Sequence, residues 1–161
     1  MEIKTVMVPL DGSVLAEAAL SPAVDLALKS NARLVLLRAA EAHTGPLTDA
    51  VAAQVEAVRE AEEYLAGVRE RVARAGVTAV ETSVWYGPPA EAIIEAATFR
   101  DADLIVMSTH GRTGLGRLVL GSVAESVLRG TAVPILVIRP GNAPLATPFT
   151  GAPGAREVSH V

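Results

Sequence analysis

The 161-residue chain contains no cysteine, which removes disulfides, thiolate metal centres and a cysteine nucleophile from consideration. Aromatic residues make up only 3% of it, too few for a surface that stacks successive bases of a nucleic acid. A net charge of −4 leaves no general basic face for nucleic acid or an anionic membrane. No apolar run approaches the roughly 18 residues that a membrane span needs. The opening MEIKTVMVPLDGS has neither the basic start nor the long apolar core of a secretory signal. These absences predict a cytoplasmic, soluble protein with no nucleic-acid and no membrane partner.

Half of the residues are apolar, mostly Ala, Val and Leu, which suits helices layered tightly on a sheet. Ile3 to Pro9 is a short β-branched run that ends in Asp11-Gly12-Ser13, a strand followed by a turn. Ala16, Ala19, Leu20, Ala23, Val24, Ala27 and Leu28 then recur at helical spacing, and Pro22 should kink or split that helix because it lacks an N–H to donate. RLVLLRA at 33–39 reads as a second strand, and Gly45-Pro46 falls in the loop after it. Val51, Val55, Val58, Leu65, Val68 and Val72 mark a long amphipathic helix that Gly76 is placed to cap. From Thr78 to Trp85 apolar and polar residues alternate, which predicts an edge strand with one face near solvent. Gly87-Pro88-Pro89 opens a helix with proline in its first turn. DLIVM at 103–107 is a continuous apolar strand, Ser122 to Leu128 a short helix, and VPILVIR at 133–139 the last strand. Five strands alternating with helices predict an α/β sandwich with a parallel sheet, and ligands of such sheets bind past the carboxyl ends of the strands. Asp11, the residues after Ala39, and Ser108 onward all stand at carboxyl ends.

The strand ending at Met107 runs into STHGRTGLGRLVLGS at 108–122, with four glycines and two arginines. Glycines let backbone N–H groups approach an oxyanion, and a helix starting near Ser122 aims its dipole at the same place. The stretch is therefore either an anion cradle or simply a loop with a helix cap. The lysine of GxxxxGK[ST] is missing, and GxGxxG fails because Val119 stands where its third glycine belongs, so a P-loop and a dinucleotide fold are disfavoured. Individual residues keep two readings. Asp11 is a ligand contact or an Asx-turn former. Ser122 with Glu125 is a phosphate contact or a capping box. Arg112 is a phosphate clamp or a solvated loop charge, and Arg117 reads as the outer face of a short helix from Leu115 to Leu120. His110 has no orienting partner at triad or metal spacing and reads as a structural group; His43 and His160 stand apart from it. Trp85 and Tyr86 read as packing or interface residues.

MSTHGRTGLGRLVLGSVAESVLRGTAVPILVI resembles the closing part of a universal stress protein domain. Nucleotide-binding members of that family carry Gly, two residues, Gly, nine residues, Gly, then Ser or Thr. Gly111, nine residues, Gly121 and Ser122 match, while Ser108 stands where the first glycine is usual. VPLDGS, RLVLLRA and GPPAEAI extend the resemblance over residues 1–139. It implies a single-domain, three-layer α/β sandwich over 1–140, with a five-stranded parallel sheet in the order 3-2-1-4-5 and helices on both faces. The Pro/Gly-rich stretch 141–161 then remains as a tail.

The resemblance further implies a stress-response regulatory protein that binds ATP or AMP with Mg²⁺. Asp11 would lie by the nucleotide and help hold the metal, with Pro9 and Leu10 leading to it, and main chain at Ala39 would meet adenine. Met107, Ser108, Gly111 and Arg112 would wrap the phosphates and ribose; Gly121, Ser122, Val123 and Ala124 would reach the terminal phosphates. At Ser108 a side chain replaces hydrogen, which either crowds the ribose or adds a hydrogen bond. The family also implies a homodimer through Val133 to Ile138, whose apolar run has no lysine guard before Arg139; a fifth strand buried between two neighbours is the alternative. No catalytic role is expected, the alternatives being slow ATP hydrolysis or a nucleotide-free interaction protein.

Overall fold

A computed structural model of the protein describes residues 2–42, 49–109 and 121–139. The readings made for His43, for His110, Gly111, Arg112, Gly114, Gly116 and Arg117, for the Leu115 to Leu120 helix and for the 141–161 tail, His160 included, fall outside the described residues.

Five parallel strands, β1 (Thr5–Pro9), β2 (Arg33–Ala40), β3 (Val80–Tyr86), β4 (Leu104–Ser108) and β5 (Ile135–Ile138), form one sheet in the order β3-β2-β1-β4-β5. Strand order therefore reverses between β1 and β4, which pair at Val6↔Leu104 and Met7↔Ile105. Alternation along the three central strands supplies both halves of the core. Val6, Val8, Leu34, Leu36, Leu104 and Val106 point to one side, where they meet α1 (Val14–Glu17), α2 (Leu20–Ser30) and α3 (Ala50–Arg74). Met7, Val35, Leu37, Ile105 and Met107 point to the other, against α4 (Pro89–Phe99) and α5 (Ser122–Gly130). Burial on both faces explains why these strands read as unbroken apolar runs.

The predicted first helix is split, α1 ending at Glu17 and α2 starting at Leu20. Pro22 lands in the first turn of α2, where an N–H has no intrahelical partner to lose. Gly76, at φ +104°, follows α3 in the left-handed region that favours glycine. The helix itself has 25 residues, about 37 Å at 1.5 Å per residue. The longest described strand, β2, has 8, about 26 Å at 3.3 Å per residue. The first turns of α3 therefore overhang the carboxyl ends of the strands. Val51 and Val55, read from spacing as core, are 71% and 63% exposed for that reason.

β3 and β5 are the sheet edges, so the buried fifth strand is excluded. The polar face of β3 is partly covered: Arg100 contacts Glu81 Oε2 at 3.4 Å and donates to Ser83 Oγ at 3.2 Å, and Arg33 contacts Glu81 Oε1 at 3.4 Å and donates to the Arg100 carbonyl. Trp85 donates to Ser83 Oγ and meets Phe99 edge-to-face at 5.9 Å, while Tyr86 is 54% exposed.

Candidate functional site

The end of β1 is shaped by its own residues. Leu10 N–H donates to the Leu37 carbonyl at 2.8 Å, holding the strand end against β2. Asp11 Oδ1 accepts from Ser13 N–H at 2.8 Å, an Asx turn, and Gly12 sits at φ +88°, where a side chain would be strained. Ser13 then caps α1, its Oγ accepting from Ala16 N–H at 3.1 Å. The turn-forming reading of Asp11 is thus realised, and the same residue lines a cavity.

That cavity, about 540 Å³, opens over the carboxyl ends of β1, β2 and β4, within the range of small-molecule sites. One wall is apolar, from Leu37, Ala39, Pro89, Ile93 and Met107. A second wall is charged, with Asp11, Arg38, Glu41 and Glu60. Pro9, Leu10, Ser108 and Thr109 contribute from the ends of β1 and β4. The third wall is the start of α5, where Gly121, Ser122, Val123 and Ala124 line the space.

The α5 terminus corrects the capping-box reading. Gly121, not Ser122, is the N-cap, and no side chain among the described residues caps the first turn. Glu125 instead pairs with Arg129 at 2.7 Å on the exposed side of the helix. A nine-residue helix therefore presents its leading N–H groups and the positive end of its dipole to the cavity without a competing side-chain cap. That is the chemistry of an anion site.

Arg38, Glu41 and Glu60 were not read from the sequence. Arg38 hides inside the apolar run of β2, and Glu60 is one of many charges on α3. The signal for Arg38 was positional: an arginine at the carboxyl end of a strand otherwise buried on both faces needs a polar outlet there. Its guanidinium lies 5.0 Å from the centroid of the Tyr64 ring, a cation–π contact, and 3.5 Å from the Glu60 carbonyl. Tyr64 is anchored in turn by buried Glu17, whose Oε1 accepts from the Tyr64 hydroxyl at 2.9 Å. Arg71 binds both Glu17 oxygens, at 2.8 and 2.9 Å, the two-pronged geometry of a strong ion pair. Burial first, then the Glu17 charge, pushes the Tyr64 phenol well above its ordinary range, so it stays a neutral donor. The hydrogen bond to Glu17 raises Arg71 likewise.

Ser108 closes β4, in register with Ile138. Its hydroxyl oxygen is buried and has no hydrogen-bond partner among the described residues. Among the described residues no group of three His, Asp or Glu side chains is gathered to hold a metal, and no helix is long and apolar enough to cross a membrane.

The model of the universal stress protein family matches residues 2–139. A Staphylococcus haemolyticus protein named as a universal stress protein is 36% identical over 140 residues, covering 84% of each chain. Among solved structures, a universal stress protein from Lactobacillus plantarum superposes with a TM-score of 0.72 at 26% identity, over 86% of this chain and 99% of its own. Another, solved in complex with cAMP, gives 0.68 at 27% identity, over 86% and 98%.

Proposed function

The chain belongs to the universal stress protein family, and from that membership we propose that it is a cytoplasmic regulatory protein that binds an adenine nucleotide, ATP with Mg²⁺, in the cavity over β1, β2 and β4. One observation carries the reading: the uncapped start of α5, with Gly121 and Ser122, faces an apolar wall across a single cavity. A nucleotide has those two ends, a flat base and an anion. The similar structure solved with cAMP supports an adenine ligand and favours a monophosphate as the second reading. Mg²⁺ would enter with the phosphates, because the ion is commonly held by one or two carboxylates plus phosphate oxygens. Asp11 is the carboxylate assigned to it. The proposed role is binding that shifts assembly or surface, because a ligand biases only states it distinguishes, with a second copy of the chain joined through Val133 to Ile138. Turnover is not proposed.

Thermal unfolding with and without nucleotide tests it. ATP with Mg²⁺ at about 100-fold over its Kd should stabilise by about 2.7 kcal/mol, a rise in Tm of several degrees for a chain of this size. Gly121→Val should abolish the rise, because a branched side chain would stand at the mouth of the α5 anion site. No shift with ATP, ADP or AMP overturns the reading. ADP accumulating over hours would keep binding and overturn the absence of turnover.

A further inference from the structure

We infer that Arg38 is a second anion-binding group of the cavity, and that the site takes a nucleotide carrying an additional phosphate on its sugar, at the 2′ or 3′ position. The inference rests on the nucleotide reading above and deepens it.

The cavity has two sides. Leu37, Ile93 and Met107, with the start of α5, line it on the side of the sheet that carries α4 and α5. Leu10 and Ala16 line it on the opposite side, where α1, α2 and α3 pack. Arg38 alternates with Leu34 and Leu36 to that second side, where Tyr64 of α3 meets it. The site therefore has a positive group on each side, the N-terminus of α5 on one and the Arg38 guanidinium on the other. β1 alone separates β2, which carries Arg38, from β4, which precedes α5 among the described elements, so the two groups belong to strands about 10 Å apart, two strand spacings.

The guanidinium is held in place and lacks a counter-charge. The position of a Cβ on Gly12 would lie 3.6 Å from Cζ, Nη1 and Nη2 alike, so the group lies flat against the Asp11-Gly12 turn, while the Tyr64 ring holds it from α3. That ring is fixed in turn, because its hydroxyl donates to Glu17, itself gripped by Arg71. A guanidinium donates in its own plane, and the Arg38 donor Nη1 reaches only a carbonyl, that of Glu60 at 3.5 Å. Arg33, Arg71 and Arg100, which are likewise partly buried, each pair with a glutamate. Arg38 has no carboxylate partner among the described residues. Asp11, Glu41 and Glu60 share its wall, but they are exposed, where water and salt screen them. A half-buried cation without a counter-charge is costly, and an anionic group of the ligand supplies one.

A nucleotide has three corners: the base, the 5′-phosphate and the sugar edge that bears the 2′ and 3′ hydroxyls. The apolar wall and the α5 terminus take the first two, both on the side of α4 and α5. The third corner is left to face across the strand ends toward Arg38. An unmodified hydroxyl brings no charge there. A phosphate does, and two of its oxygens match two N–H groups of the guanidinium fork.

Titration calorimetry on the full chain decides, with AMP, adenosine 2′,5′-bisphosphate and adenosine 3′,5′-bisphosphate as ligands. The wild type should bind one of the bisphosphates roughly tenfold or more tightly than AMP, the worth of one charge-assisted hydrogen bond, and which one it is identifies the position. Arg38→Gln should erase that preference. Arg38→Lys, which keeps the charge but not the fork, should retain part of it. Equal or weaker binding of both bisphosphates by the wild type overturns the inference with no variant needed, and leaves the nucleotide reading standing where AMP binds. A preference that survives in Arg38→Gln places the second phosphate elsewhere and overturns it too. So does an equal loss of affinity for all three ligands, which would make Arg38 part of the base or 5′-phosphate site. Failure of the wild type to bind any of the three overturns this inference, and failure with ATP as well overturns the nucleotide reading beneath it. Melting of each unliganded variant separates lost folding from lost binding; where Arg38→Gln does not fold, Arg38→Lys and the wild-type ratio carry the comparison.

Discussion

Ser122 and Asp103 illustrate how a residue's role depends on which backbone groups it meets. Ser122 carries the spacing of a capping box, yet the helix starts one residue earlier, so Gly121 takes the cap and the first turn is left to the cavity. Asp103 stands first in the DLIVM run read from the sequence as a strand, and the structure starts β4 one residue later, at Leu104. Its Oδ2 accepts from the N–H groups of Lys4 and Thr5 at 2.8 and 2.9 Å, tying the start of β1 to the start of β4. Those two bonds, Lys4 first, hold its carboxyl below the ordinary value. A depressed carboxyl contributes stability that is fully present above its unfolded pKa, about 3.9, and is lost as pH falls through the folded value. Asp103→Asn should therefore be less stable than wild type at pH 7 and converge with it as pH falls through the folded value of Asp103, as read by Tm against pH. A constant difference at all pH values would show that shape, not charge, matters at this position. At this scale the chemistry at strand ends was legible where glycine or a turn residue marks it, as at Asp11 and Gly121. It was illegible where a charged side chain sits inside an apolar run, as at Arg38, because its role depends on Tyr64 and Glu17, 26 and 21 residues away in the chain.

Elements were legible through periodicity, and the failures have a common cause: spacing reports a face, not what lies opposite it. α3 keeps one apolar stripe from Val51 to Val72, but only the part over the sheet is buried. Leu65, Val68 and Val72 are fully enclosed, whereas Val51 and Val55 project past the strand ends. That overhang brings Ala57 and Glu60 to the cavity, so helix length is a feature of the site as well as of the core. Leu65→Ala should cost about 2–5 kcal/mol through lost burial and the cavity left behind. Val55→Ala, on the same stripe, should stay within about 0.5 kcal/mol. Urea unfolding of the two variants measures the contrast, and a large loss at Val55 would mean that the overhang is covered in solution. β3 fails in the opposite sense. Its alternation predicts a wet polar face, but Arg100 and Arg33 reach across it to Glu81 and Ser83, so alternation identified the edge but not its partial cover.

At the scale of the whole molecule, the two sheet edges are unequal. β3 is shielded by α3 on one side and by the Arg100 and Trp85 cluster on the other. β5 has no neighbour beyond it among the described residues, no charged residue from Ile135 to Ile138, and Leu136 is 37% exposed. Leu136 alternates to the same side of the sheet as Ile138, the side that carries α1, α2 and α3. An edge of unpaired backbone groups beside exposed apolar side chains is a template for another strand, and a two-fold axis would supply one by setting β5 antiparallel to its copy. The same patch would then serve both subunits and join two sheets into one of ten strands. Sedimentation equilibrium at tens of micromolar should give the mass of a dimer. Leu136→Lys, which plants a charge in the seam where each subunit would desolvate it, should give a monomer with unchanged helical content and an unchanged nucleotide-induced rise in Tm, because the cavity is built from β1, β2, β4 and α5 of one subunit. A monomeric wild type would overturn the β5 interface and leave the cavity reading standing. A Leu136→Lys monomer that has lost its nucleotide response would instead show that the second copy completes the site.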